Sequence, residues 1–172
     1  MATDPIILGT GWRLLTLGAK FSLIEHELGS SDQTQYYDSL KEGWLGAGWY
    51  HDYIEDGFQI VTNAEGLIIG LRFFAPREPE FGQFGTFWSF CTKEGITQRS
   101  SISDVYRTYG TPVKHTHHGV GKYVFEQLAY PHFDFWFENY TLISIGLFPA
   151  RRMSDADFDS WAEYWVRKMR RP

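Results

Sequence analysis

Apolar and polar positions alternate in steps of two along the later part of the chain. Phe133, Phe135 and Phe137 fall on one side, and His132, Asp134, Trp136 and Glu138 on the other, as in a strand with two unlike faces. Ile143, Ile145 and Leu147 alternate in the same way against Leu142, Ser144, Gly146 and Phe148. This pattern predicts strands over 122–130, 133–138 and 141–148, separated by Pro131 and by Asn139-Tyr140. Earlier in the chain it predicts strands over 49–54, 58–62 and 67–74, with turns at Asp56-Gly57 and 63–66. A further short strand is expected at 87–91. Three segments carry helical spacing instead. Phe21, Ile24 and Leu28 form one apolar face, and Ile102, Val105 and Tyr109 another. Each is followed by a glycine, Gly29 or Gly110, suited to the left-handed residue that closes a helix. The third runs from the N-cap candidate Ser154 through Phe158, Trp161, Trp165 and Met169, a helix to be docked on the sheet.

The two earlier helical segments are alike. In 16–29, TLGAKFSLIEHELG, and 97–110, TQRSSISDVYRTYG, the pairs Thr16/Thr97, Ser22/Ser103 and Gly29/Gly110 coincide. The apolar pairs Phe21/Ile102, Ile24/Val105 and Leu28/Tyr109 do too. Each segment precedes three expected strands. The fold class expected is therefore α+β: two tandem helix-plus-antiparallel-meander repeats forming one extended sheet, with a C-terminal helix. The first repeat occupies 1–75, a Pro- and Gly-rich linker 76–87, the second repeat 88–150 and the final helix 151–172.

Composition narrows the function classes. Aromatic residues make up 18% of the chain, including seven Trp and ten Tyr. Such residues fill strands and also anchor protein interfaces. The net charge is −5, although the last 22 residues carry six basic against four acidic side chains. The acidic body disfavours nucleic acid, whose phosphates need clustered Lys and Arg, and suits a basic protein partner. Cys91 is the only cysteine, so no disulfide can close within the chain. With no leader-like N-terminus and no apolar run of membrane-spanning length, the expectation is a soluble protein of the reducing cytoplasm.

Motifs for chemistry are missing. There is no Gly-rich phosphate loop, no GxSxG and no HExxH. Cys91 reads as a structural thiol. His115, His117 and His118, in KHTHHG, read as a Gly-flanked loop that is solvated, touches a partner or, least in keeping with its setting, holds a metal; His132 lies nearby in the chain. In YHDYIEDG, His51 and Asp52 point to opposite faces of a strand, which argues against a paired acid and base. Glu55 and Asp56 form an acidic turn beside Tyr50 and Tyr53. Trp136, Phe148, Asp134, Glu138, Arg72 and Phe74 would share the open face of the sheet; a helix laid over it would instead make Trp136 core. The contact residues expected are Trp136, Tyr50, Tyr53, Glu55, Asp56 and Asp134. No catalytic residue, cofactor or metal is expected.

The stretch SSISDVYRTYGTP, followed by KYVFEQLAYPHFDFWFENYTLISIGLF, resembles a module of small bacterial α+β domains. One copy is similar to the SmpA/OmlA outer-membrane assembly lipoproteins, and two tandem copies to the beta-lactamase inhibitor protein. The chain lacks the lipoprotein leader and cysteine of the first and the paired cysteines of the second. What the resemblance implies is a pair of modules presenting a concave, aromatic-rich sheet to another protein. It points to an inhibitor, above all a cytoplasmic immunity protein that blocks a bacterial toxin, with a basic toxin as partner. The alternative is a small enzyme or ligand-binding protein with a pocket between the modules.

Overall fold

The computed structural model describes residues 4–39, 44–75, 91–120 and 123–149. A small hairpin, β1 (Gly11–Trp12) and β2 (Leu15–Thr16), leads into a 3-10 turn at Phe21–Leu23 and a single-turn helix, α1 (Glu25–Leu28). Four strands follow: β3 (Gln33–Tyr37), β4 (Gly48–Tyr53), β5 (Phe58–Thr62) and β6 (Ile68–Phe74). Helix α2 (Ile102–Tyr109) precedes four more: β7 (Lys114–Val120), β8 (Tyr123–Ala129), β9 (Phe133–Glu138) and β10 (Thr141–Leu147). The fold is mostly β, and a mixed α+β class is compatible with it.

Strands β3 to β10 make one antiparallel sheet in the order β3-β4-β5-β6-β10-β9-β8-β7. The order climbs through the first four strands and descends through the last four, so the two halves meet where β6 pairs with β10.

The helix-side face is the main core. Ile60, Leu71, Phe73, Phe135, Phe137, Ile145 and Leu147 are buried there with Val105 of α2 and Phe21 and Ile24 of the first helical segment. At the seam Phe73 lies opposite Ile145, and Leu71 opposite Leu147. Complete burial of such side chains stabilises by about 1.5–3 kcal/mol each. Helix α2 starts on a capping box between Ser101 and Asp104 and ends at Gly110, with φ of +76°. Those caps hold α2 to eight residues, long enough to set Val105 onto the sheet.

Two expectations change. The first helical segment, expected as one helix with Phe21, Ile24 and Leu28 on its apolar face, is a 3-10 turn followed by a single α turn, and Thr16 at the start of the compared stretch belongs to β2. The histidine segment is a strand, β7, paired with β8 from Lys114 to Val120, and not a loop. Its polar side chains hid it from a period-two reading. A register shift between Leu142 and Ser144 also breaks simple alternation in β10. Leu142 therefore joins Ile145 and Leu147 in the helix-side core. Cys91 is half-buried, its thiol donating to the Thr92 carbonyl at 3.2 Å. The expected linker at 76–87, the rest of the strand at 87–91 and the C-terminal helix lie outside the described residues. Among the described residues no helix is long and apolar enough to cross a membrane.

Candidate functional site

The opposite face of the sheet is not open. Arg72 on β6 donates through Nη2 to both carboxylate oxygens of Asp134 on β9 at 3.1 Å. Its Nη1 donates to Ser144 Oγ at 3.1 Å. Gln127 Nε2 and Trp136 Nε1 also donate to Asp134, at 2.8 and 2.9 Å. The Trp44 ring covers the guanidinium at 4.2 Å, and Trp44 Nε1 donates to Gln59. Beside this network Trp44, Leu45, Tyr50, Val61, Ala129 and Phe148 form a second apolar cluster. Gly70 makes the room, since a Cβ there would meet Leu45 at 2.5 Å and Trp44 at 3.0 Å. Every charge in the centre is paired and out of water, which makes it a structural device.

The burial corrects the expected contact face. Trp136 and Tyr50 are 1% exposed, Tyr53 is 3% and Asp134 is 0%. Tyr50 and Tyr53 moreover point to opposite faces: Tyr50 bonds Gly46 and Leu45 in the second cluster, while Tyr53 stacks on Phe58 in the main core. Glu55 and Asp56 are exposed, in the turn between β4 and β5. Arg72, Phe74 and Phe148, expected on the same open face, are buried too.

Two sets of side chains stand as candidates among the described residues. One is at the outer corner of the sheet, on β3 and β4. Tyr36 and Trp49 face each other across the two strands, with ring centroids 5.2 Å apart. They are 51% and 45% exposed, large aromatic area left in water on a rigid strand pair. Next along the same face Thr34 lies opposite His51. His51 is fixed by Thr34 Oγ1 at 3.3 Å, by Thr62 Oγ1 at 3.0 Å and by the Phe21 ring at 4.3 Å. Burial holds its pKa below the usual imidazole value, against the raising effect of Glu25.

The sequence that carries this corner is acidic. Residues 21–60 hold eight of the 21 acidic side chains and one of the 16 basic ones. The Tyr53 hydroxyl, which donates to the Gly29 carbonyl, is pushed up to about 12 by burial and by the carboxylates of Glu25, Asp56 and Asp32. Sequence reasoning missed Tyr36 and Trp49 because β3, QTQYY, has no aliphatic residue to mark it. Its alternation of Thr34 and Tyr36 against Gln33 and Gln35 was the available signal.

The other set is at the far side of the sheet. His115 on β7 bonds Glu126 Oε2 on β8 through Nε2 at 2.7 Å and the Tyr106 hydroxyl of α2 through Nδ1 at 3.1 Å. A carboxylate, an imidazole and a phenol in line can orient a proton. Here they also tie α2 to the sheet. His117 is exposed, and among the described residues no group of three His, Cys, Asp or Glu side chains is placed to hold a metal.

No family model matches the sequence. No curated protein matches it either. The chain is similar to one solved structure, a DUF4309 family protein (YjgB) from Bacillus subtilis subsp. subtilis strain 168. The two are 9% identical, with a TM-score of 0.47 over 83% of this chain and 88% of that chain.

Proposed function

We propose that the chain is a protein-binding inhibitor, a cytoplasmic bacterial immunity protein that neutralises an antagonistic toxin by covering its active site. The observation that carries this reading is the exposed Tyr36–Trp49 pair set in an acidic corner. Rigid aromatic anchors supply contact energy, and the carboxylates around them steer a basic partner and fix its orientation. Glu55 and Asp56, exposed in the turn at the Tyr53 end of β4, add acidic charge to this half of the sheet, whereas Trp136 and Asp134 are buried on the other face and hold the sheet together. On this reading the two four-strand meanders are tandem modules of the kind seen in the inhibitor protein the sequence resembles. The mirrored strand order supports that reading.

Growth rescue tests it. Each reading frame neighbouring the gene is expressed alone and with this chain. One neighbour is expected to arrest growth, and co-expression to restore it, with a Y36A/W49A double variant failing to do so. Rescue by the double variant, or no toxic neighbour, would contradict the reading. The His115–Glu126–Tyr106 array favours a second reading, a small enzyme or ligand-binding protein, which a His115→Ala variant unable to rescue growth while still binding the partner would support.

A further inference from the structure

We propose that β3 is a docking strand, and that its outer edge takes an extended basic segment of the partner protein as an added antiparallel strand. This rests on the reading of the β3–β4 corner as the partner-binding surface. Sheet edges are ordinarily guarded by Lys, Pro, bulges or very short strands, because their free main chain templates further pairing. Among the described residues the sheet has two edges, β3 and β7. β7 carries Lys114 and three histidines. β3 carries no Lys, Arg, Pro or Gly, and its five pairs with β4 run without a register break. Gln33, Thr34, Gln35 and Tyr36 are exposed, so side chains on both faces are in solvent beside that edge.

Charge decides the occupant. Asp32 precedes the strand and Asp38 follows it, with Asp52 opposite Gln33 on β4. A second copy of the chain, paired antiparallel about Gln35, would set Asp32 of one copy against Asp38 of the other, and like charges directly opposite destabilise a sheet. A segment with Lys or Arg at its two ends and Val or an aromatic residue between them meets the opposite situation. Its basic residues face the acidic ends, and its apolar residues extend the row of Trp49 and Tyr36 by one place.

The test is amide hydrogen exchange on the full chain with a peptide of about seven residues, Lys at both ends and Thr alternating with Val between them. A control peptide has the same side chains but is N-methylated on alternate residues. The unmethylated peptide is expected to slow exchange at Gln33–Tyr36 by about tenfold, and the N-methylated peptide to give no protection. Equal effects from both peptides, or perturbation confined to the Tyr36 and Trp49 side chains, would overturn strand addition and leave the surface reading in place. A peptide-free dimer protected at β3 would also overturn it, by making a second copy the occupant. No response to either peptide would overturn it as well, and the growth assay decides the surface reading separately.

Discussion

Arg72 and Asp134 form a fully buried ion pair across an intervening strand. Gly146 on β10 is in register with Arg72 on one side and with Asp134 on the other. Lacking a side chain, it lets the two charges meet above it. A Cβ at Gly146 would strike the Asp134 carboxylate and come within 2.6 Å of Arg72 Nη2. The pair thus ties β6, the last strand of the first half, to β9 of the second. Removing one partner of such a pair leaves a buried charge uncompensated, which costs about 3–5 kcal/mol. Asp134→Ala is expected to destabilise by that amount in denaturant unfolding. Gly146→Ala is expected to cost about 1–3 kcal/mol by overpacking. A D134A variant as stable as the parent would contradict the pairing.

The turn between β9 and β10 stores local strain. Asn139 and Tyr140 both have positive φ, 46° and 67°, as a two-residue hairpin of the primed type requires. Asn139 compensates by bonding the Val124 main chain, accepting at Oδ1 at 2.9 Å and donating at 2.8 Å. Tyr140 is 68% exposed and has little packing to set against its strain. Tyr140→Gly is expected to raise stability by about 1 kcal/mol, seen as a higher unfolding midpoint; a lower midpoint would contradict the turn assignment.

His51 makes stability depend on pH. Folding lowers its pKa below 6.5, chiefly by burial. The unfolded chain therefore takes up a proton that the folded chain resists. The neutral imidazole contributes fully above the unfolded value, and its contribution is lost as pH falls from there toward the folded value. Between pH of about 7 and about 5.5, the parent is expected to lose more stability than His51→Gln does. Equal losses would show that His51 does not titrate against folding.

Tyr53 acts at the other end of the scale. Its hydroxyl is raised from 10.0 to about 12, and Tyr130 is raised to about 12 by burial and by Tyr106. The folded chain keeps these protons where the unfolded chain sheds them, so stability is present below pH 10 and falls as pH rises above it. Ultraviolet titration is expected to show tyrosines ionising late, with Tyr53→Phe removing part of that late phase. A Tyr53→Phe titration that overlays the parent would contradict the burial and the acidic field.

Much of the fold was legible where burial writes a pattern. β5 and β9 stand at the sequence-predicted bounds, and α2 with Gly110 follows from apolar spacing and a cap signal. β3 and β7 were illegible for one reason: as edge strands they have a single neighbouring strand, and they carry polar residues that leave no hydrophobic alternation. The candidate site fared worse. Counting positions put Trp136, Asp134 and Arg72 on one face, which is where they lie. It could not see that Trp44 and Leu45, distant in sequence, close over that face at Gly70. Tyr50 drew attention as a neighbour of the acidic turn; only the pairing of β3 with β4 shows that its neighbour Trp49 is the one that reaches water.

On the proposed inhibitor reading, contact energy comes from the exposed corner while the buried centre holds the sheet together. The most direct measurement is the affinity for the protein whose toxicity the chain suppresses, made with Trp49→Ala and its parent side by side. The variant is expected to bind about 30-fold or more weakly, while its unfolding midpoint stays close to that of the parent. Unchanged affinity in a folded Trp49→Ala variant would contradict the claim.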